Sequence, residues 1–196
     1  MTILERVLVQ LGIRRTQRGF LLQLLRLWLV IPGRLNYANL ARFSGKSEKT
    51  FRNWFRKPFN FLAVTSCLGI LAQAQGHLGK TLALVIDSSP IDKSGKHTPG
   101  IGKYWHSKQG KAVSGLEVSC GALVDATGQY ALPLDALQTP STLAEGESRI
   151  DPYLHHLKEV SSKLSLGLCA DIAYVVGDAY YPKKDFIDGV ISTDKH

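Results

Sequence analysis

The sequence predicts an α/β protein, with a mixed sheet in its last two thirds and an all-α domain in front of it. Three observations predict this. Two apolar runs, residues 82–86 and 173–177, each lead into an aspartate, Asp87 and Asp178. Such runs, rich in Val and Ile, read as strands buried on both faces. Between them lie two more strand patterns joined by a turn, then a helical pattern; before residue 76 the apolar residues recur at helical spacing.

Composition narrows the partners. The chain has 196 residues, 44% of them hydrophobic, and a formal charge of +8. Residues 1–60 hold twelve Lys/Arg against two Glu, whereas the remainder holds twelve against fourteen acids. Positive charge confined to the first third suggests a polyanion partner, nucleic acid ahead of an anionic membrane. No membrane span is expected, because the apolar stretch at 20–31 is a dozen residues interrupted by Gln23 and Arg26, and a span needs ~20. The Arg14-Arg15 pair ahead of it has no small-residue cleavage site behind it, so an export signal is not expected. Cys67, Cys120 and Cys169 are far apart and lack any CxxC or Cys/His spacing. They read as ordinary thiols of a cytoplasmic protein, with no zinc site.

The helical domain is expected over residues 1–75. A first helix covers 3–13. A second, capped by Thr16, runs to 30 or 31 and stops at Pro32-Gly33; apolar almost all round, it is the expected centre of the domain. Asn36 caps a short helix over 37–43, Ser44-Gly45-Lys46 turns, and Ser47 caps another over 48–57 before Pro58. Helix, glycine turn and helix form a helix-turn-helix pattern. Phe51, Trp54 and Phe55 fall at i, i+3 and i+4 and are expected to pack inward. Lys49, Arg52, Asn53 and Arg56 are then free to meet phosphates or base edges. An apolar helix over 59–75 links this arm to the core.

The core is expected over residues 81–196. Its first strand ends at Asp87. Residues 93–111 hold five lysines, two histidines and no acid, with Tyr104 and Trp105 interleaved. Their glycines keep the segment extended and free of helix. Lys93, Lys96, Lys103, Trp105, Lys108 and Lys111 are candidates to grip a DNA backbone, with Trp105 stacking or wedging. A strand over 113–124, a turn at 125–128, a strand over 129–134 and a helix over 153–164 follow. His155 and His156 are adjacent on that helix, so they point in different directions and make no ligand pair. A strand over 172–176 delivers Asp178, a short helix opens at 183, and residues 190–192 start a fifth strand. Three strands linked antiparallel, then a helical crossover to a strand beside the first, is a ribonuclease-H-like layout, here incomplete. Two buried strands that each deliver an Asp bring two carboxylates together, in outline a site for a hard divalent cation.

These residues resemble a known family. Val85-Ile86-Asp87-Ser88-Ser89-Pro90, Lys93-Ser94-Gly95-Lys96-His97-Thr98, Gly115-Leu116-Glu117-Val118-Ser119, and Gly177-Asp178-Ala179-Tyr180-Tyr181 with Lys183-Lys184-Asp185-Phe186 are similar in order and spacing to the IS4-like DDE transposases of insertion sequences. The resemblance covers roughly residues 35–190. It implies metal-dependent cleavage and strand transfer of DNA, with Asp87 and Asp178 as the first two catalytic acids. It implies two Mg²⁺ or Mn²⁺ ions, which serve the attacking and leaving oxygens of a phosphodiester. It further implies double-stranded DNA, as element ends and target, for a partner, a homodimer or synaptic complex, and a nucleoid-associated protein.

The family's third acid, a Glu on a later helix, has no counterpart among the eighteen residues after Asp178. Asp185 and Asp188 are too close in sequence to bring a new element over the site. Glu117 lies on a strand and can face the metals, although the resemblance gives it no role. The expectation is therefore a copy truncated before the third acid, which binds DNA better than it cuts or joins it. Two alternatives stand beside it. One is a DNA-binding remnant without chemistry. The other is a haloacid-dehalogenase-type phosphohydrolase, which needs an acid where this chain has Ser89.

Overall fold

The computed structural model describes residues 2–79, 81–95, 97–165, 172 and 174–193. The chain divides into two compact units, Met1–Asn60 and Phe61–His196. This division falls ahead of the helix expected to link arm and core. That helix belongs to the second unit, where Thr65 Oγ1 donates to the Leu134 carbonyl at 2.6 Å and Leu62 joins the sheet's core.

The first unit contains four described helices: α1 (Ile3–Gln10), α2 (Arg15–Val30), α3 (Tyr37–Ser44) and α4 (Glu48–Phe55). Thr2 and Glu5 cap α1 reciprocally, Thr2 Oγ1 accepting from the Glu5 amide and Glu5 Oε2 from the Thr2 amide. Thr16 does not cap α2. The helix begins at Arg15, behind Arg14, which makes no side-chain cap bond. Asn36 and Ser47 do cap α3 and α4, accepting from the Asn39 and Thr50 amides. Gly45, at φ 68°, supplies the left-handed turn between these two helices. Leu24, Leu27, Ile31, Leu40 and Phe51 form the core, with Phe20 and Tyr37 packed on it. α2, expected at the centre of the domain, supplies Leu24 and Leu27 to this core, but its last turn lies open: Leu29 is 87% exposed, and Trp28 and Val30 are exposed too.

The second unit runs α5 (Phe61–Ala74), β1 (Leu82–Asp92), β2 (Gly102–His106), β3 (Lys111–Asp125), β4 (Tyr130–Gln138), α6 (Ile150–Ser165), β5 (Tyr174–Val176) and α7 (Lys184–Ile191). The strands form one mixed sheet in the order β2-β3-β1-β5, with β4 also paired to β3. β1 and β3 are antiparallel, Leu82 opposite Asp125 and Asp92 opposite Gly115. β1 and β5 are parallel. Alternation places Leu82, Leu84 and Ile86 of β1 and Leu123 of β3 on one face. There they meet Leu62 of α5, Tyr153, Leu157, Val160 and Leu164 of α6, and Phe186 and Val190 of α7. Asp125 closes the β3–β4 turn by accepting from the amides of Thr127 and Gly128, and it also holds Gly79.

Three sequence expectations are corrected here. β1 does not end at Asp87 but runs five residues further, because β3 pairs with it to Asp92. What ends at Asp87 is burial: the alternating core positions stop at Ile86. The basic segment is not extended throughout, since residues 102–111 form a hairpin, β2 to the start of β3, with a single 3₁₀ turn at its tip. Residues 190–192 do not start a strand. Phe186 and Val190 lie one helical turn apart and both are buried, so the apolar pair continues α7 onto the core.

Between the sheet and α6 lies a buried imidazole. His156 Nδ1 shares a 2.8 Å hydrogen bond with Ser119 Oγ, and its Nε2 sits 3.5 Å from Asp135 Oδ2. Burial pulls its pKa below the ordinary 6.5, against the opposing pull of Asp135 and Glu159 and with a small contribution from His155. An imidazole kept neutral by folding binds a proton more readily in the unfolded chain. Stability is therefore expected to fall as pH drops from about 6.5 toward the depressed folded value. Thermal melts across this range test it: His156→Gln should remove that part of the pH dependence.

Candidate functional site

The parallel register sets Ala83 beside Tyr174 and Val85 beside Val176. Asp87, within β1, and Asp178, beyond the end of β5, each follow the last of these pairs by two residues. Asp87 sits within β1, exposed, across from Cys120 of β3. Its carboxylate accepts from the Ser88 amide at 2.8 Å. Asp178 lies beyond β5 in a tight turn, where Oδ1 accepts from the Tyr180 amide at 2.9 Å and the carbonyl accepts from the Tyr181 amide. Both carboxylates lie within electrostatic reach of Tyr181. Burial pushes that hydroxyl up to about 12, and Asp87, Asp178 and Glu117 add to the rise. Ser88 is close enough to oppose it, yet no hydrogen bond of normal geometry forms and the Tyr181 hydroxyl has no partner among the described residues. On the other side of Asp87, burial raises the pKa of the Cys120 thiol first, with Asp87 and Asp135 contributing, so this exposed thiol is not an activated one.

Asp178 also lines a cleft of about 180 Å³ with Ser88, Glu117, Arg149, Tyr153 and Tyr180. Sequence reasoning placed Glu117 on a strand that can face the metals; the structure buries it at the floor of this cleft. Its Oε1 accepts from the Tyr153 hydroxyl at 2.7 Å and the Thr139 hydroxyl at 2.8 Å, and Arg149 Nε is 3.8 Å away. Arg149 in turn lies over the Tyr104 ring, 4.8 Å from its centroid. Tyr153 is held protonated, first by burial and then by its bond to Glu117. The signal for this inward carboxylate was the alternation of β3. Glu117, Ser119, Gly121 and Leu123 share parity, and all four are buried.

The donor chemistry suits a hard cation: Asp87, Asp178 and Glu117 offer carboxylate oxygens and Ser88 a hydroxyl. Among the described residues, no group of three or more His, Cys, Asp or Glu side chains converges to hold a metal ion. Asp87 does not line the cleft that Asp178 and Glu117 share. A fully assembled three-acid centre is therefore not part of the described geometry.

The basic candidates fall in two places. On α4, Lys49, Arg52, Asn53 and Arg56 are exposed along one stripe, opposite buried Phe51. Arg52 is already engaged, at 3.0 Å from Glu48 and 4.6 Å above the Tyr37 ring. Trp54 stacks on Phe20 at 4.9 Å, and Lys57 caps the same indole. Phe55, expected inside, is half exposed, with its edge against Phe20 and Tyr37. In the second unit Lys93, Lys103, Trp105, Lys108 and Lys111 are all exposed. Lys103 and Trp105 alternate with buried Tyr104 on β2, so both point away from the core. Lys96 lies outside the described residues, as does Cys169.

Among the described residues, no helix is long and apolar enough to cross a membrane. Comparison of the sequence with protein-family profiles and with curated proteins gives no match.

Proposed function

We propose that this chain acts on DNA in the manner of a DDE transposase. The first unit, read as a helix-turn-helix-type domain, binds duplex DNA through the exposed stripe of α4. The second unit, read as a ribonuclease-H-like domain, carries the carboxylates for phosphodiester cleavage and strand transfer. The observation that carries this reading is the β1/β5 register, which pairs Val85 with Val176, the residues two before Asp87 and Asp178. The strand path β4-β3-β1-β5, with α6 crossing between β4 and β5, supports it.

Asp87 and Asp178 would hold Mg²⁺ or Mn²⁺, which supplies positive charge where a phosphodiester gains negative charge on in-line attack. The chain's own part is to bring DNA to the carboxylates. Lys103 and Lys111 of the β2–β3 hairpin, and Lys93 ahead of it, offer phosphate contacts, and exposed Trp105 offers a stacking face. Nicking or end-joining of duplex DNA carrying the element ends, with Mg²⁺ or Mn²⁺, tests the reading. Activity should appear only with the metal and be lost in Asp87→Asn and in Asp178→Asn. Metal-dependent activity that survives both substitutions would contradict it.

A second reading has its own observation. The lack of a converged three-acid group among the described residues favours a protein that binds DNA without cutting it. Salt-dependent DNA binding with no metal-dependent chemistry would decide for that reading.

A further inference from the structure

A single exposed apolar side chain is ordinary, whereas several that line one concave site mark a surface made to be covered. In the first unit Trp28, Leu35, Tyr37, Leu40 and Phe55 line a groove of about 380 Å³. Of these five only Leu40 is buried, and Trp28, Leu35 and Phe55 are each close to half exposed. Such a groove takes the bulky anchor side chains on which peptide recognition turns. Its rim decides what carries those anchors. The Arg52 guanidinium lies 4.6 Å from the centroid of the Tyr37 ring. Arg34 precedes Leu35, Arg56 follows Phe55, and all three arginines are exposed. Residues 1–60 hold twelve Lys/Arg against two Glu. Both glutamates are engaged, Glu5 in the cap of α1 and Glu48 with Arg52. Charge of one sign around an apolar groove disfavours a second copy of the same unit and favours an acidic partner.

We propose that this groove binds an acidic, amphipathic peptide segment of another protein. Its bulky apolar side chains enter the groove, and its carboxylates meet Arg34, Arg52 and Arg56. A segment that turns helical on binding presents such anchors at i, i+3 or i+4, and i+7. Guanidinium–carboxylate pairs are directional and fix its register. Duplex DNA offers phosphates to the same arginines but keeps its bases stacked, so it brings no anchor for the groove. Arg52 and Arg56 also belong to the exposed stripe of α4, so a bound segment displaces DNA. That displacement rests on the reading of the stripe as the DNA site.

The probe is a labelled synthetic peptide in which Phe and Leu recur at this spacing among Asp and Glu, its binding to the full chain followed by anisotropy. Trp28→Ala and Leu35→Glu should each weaken it by roughly tenfold or more. Both positions are exposed, so the thermal melts of the variants should match the wild type, and Trp28→Ala should keep its affinity for duplex DNA. Equal binding of a peptide whose Phe and Leu are replaced by alanine would reduce the contact to charge and overturn the inference. Wild-type affinity in both variants would overturn it too, as would binding of the chain to phosphatidylcholine–phosphatidylserine vesicles but not to the peptide. Peptide binding that leaves DNA in place would overturn the shared use of Arg52 and Arg56. No DNA binding by the wild-type chain, with the peptide still bound, would remove the proposed function and leave the groove standing.

Discussion

Replacing Phe51 with alanine is expected to abolish the fold of the N-terminal unit and, with it, the DNA binding proposed for that unit. Phe51 is fully buried at the middle of an eight-residue helix. It packs against Phe20, with ring centroids 5.8 Å apart, and belongs to the cluster of Leu24, Leu27, Ile31 and Leu40. A Phe→Ala change in such a position costs about 3–5 kcal/mol. A unit of sixty residues has little more than about 5 kcal/mol to lose. Isolated α3 and α4 are eight residues each, too short to persist without tertiary packing. In circular dichroism of the full chain, the helical signal should fall while the sheet of the second unit still melts cooperatively. Wild-type helicity in the variant would contradict the packing described here.

The second large effect concerns the exposed stripe of the same helix. Substituting Lys49, Arg52, Asn53 and Arg56 together with alanine should leave the fold intact, because all four are exposed. The first unit carries twelve Lys/Arg, so the loss is graded rather than complete. Each phosphate contact removed should lower the slope of log K against log salt by about 0.9. Arg52 is the member to separate from the rest, because Glu48 and the Tyr37 ring already occupy it. Its single substitution should weaken DNA binding less than that of Lys49 or Arg56. Anisotropy of a labelled duplex measures both.

How far these features were legible depends on how local their causes are. The caps of α3 and α4 were readable because Asn36 and Ser47 act on amides three residues away. The apolar run of β1 was readable because burial selects Val, Ile and Leu whatever the partner strand is; β5 is a strand as expected but is not buried on both faces, since Tyr174 and Val176 are exposed. The full length of β1 was not: residues 87–92 are mostly polar or exposed, and they are strand only because β3 pairs with them. Residues 190–192 were read as a strand from three residues, too few to reveal that Val190 repeats Phe186 at helical spacing. The Glu117 cluster was least legible, since its partners stand 22 and 36 residues away. The buried contact of Ser119 with His156 spans 37. Alternation along β3 could have shown that Glu117 turns inward, but nothing local names Thr139 or Tyr153 as its donors.

The account depends most on DNA being the molecule this chain handles. The affinity of the full chain for duplex DNA, measured between about 50 and 200 mM salt, tests that claim most directly. It should fall steeply and linearly in log–log form, as it does when cationic side chains displace counterions from phosphates. Affinity that is absent at low salt, or that does not change with salt, would contradict it.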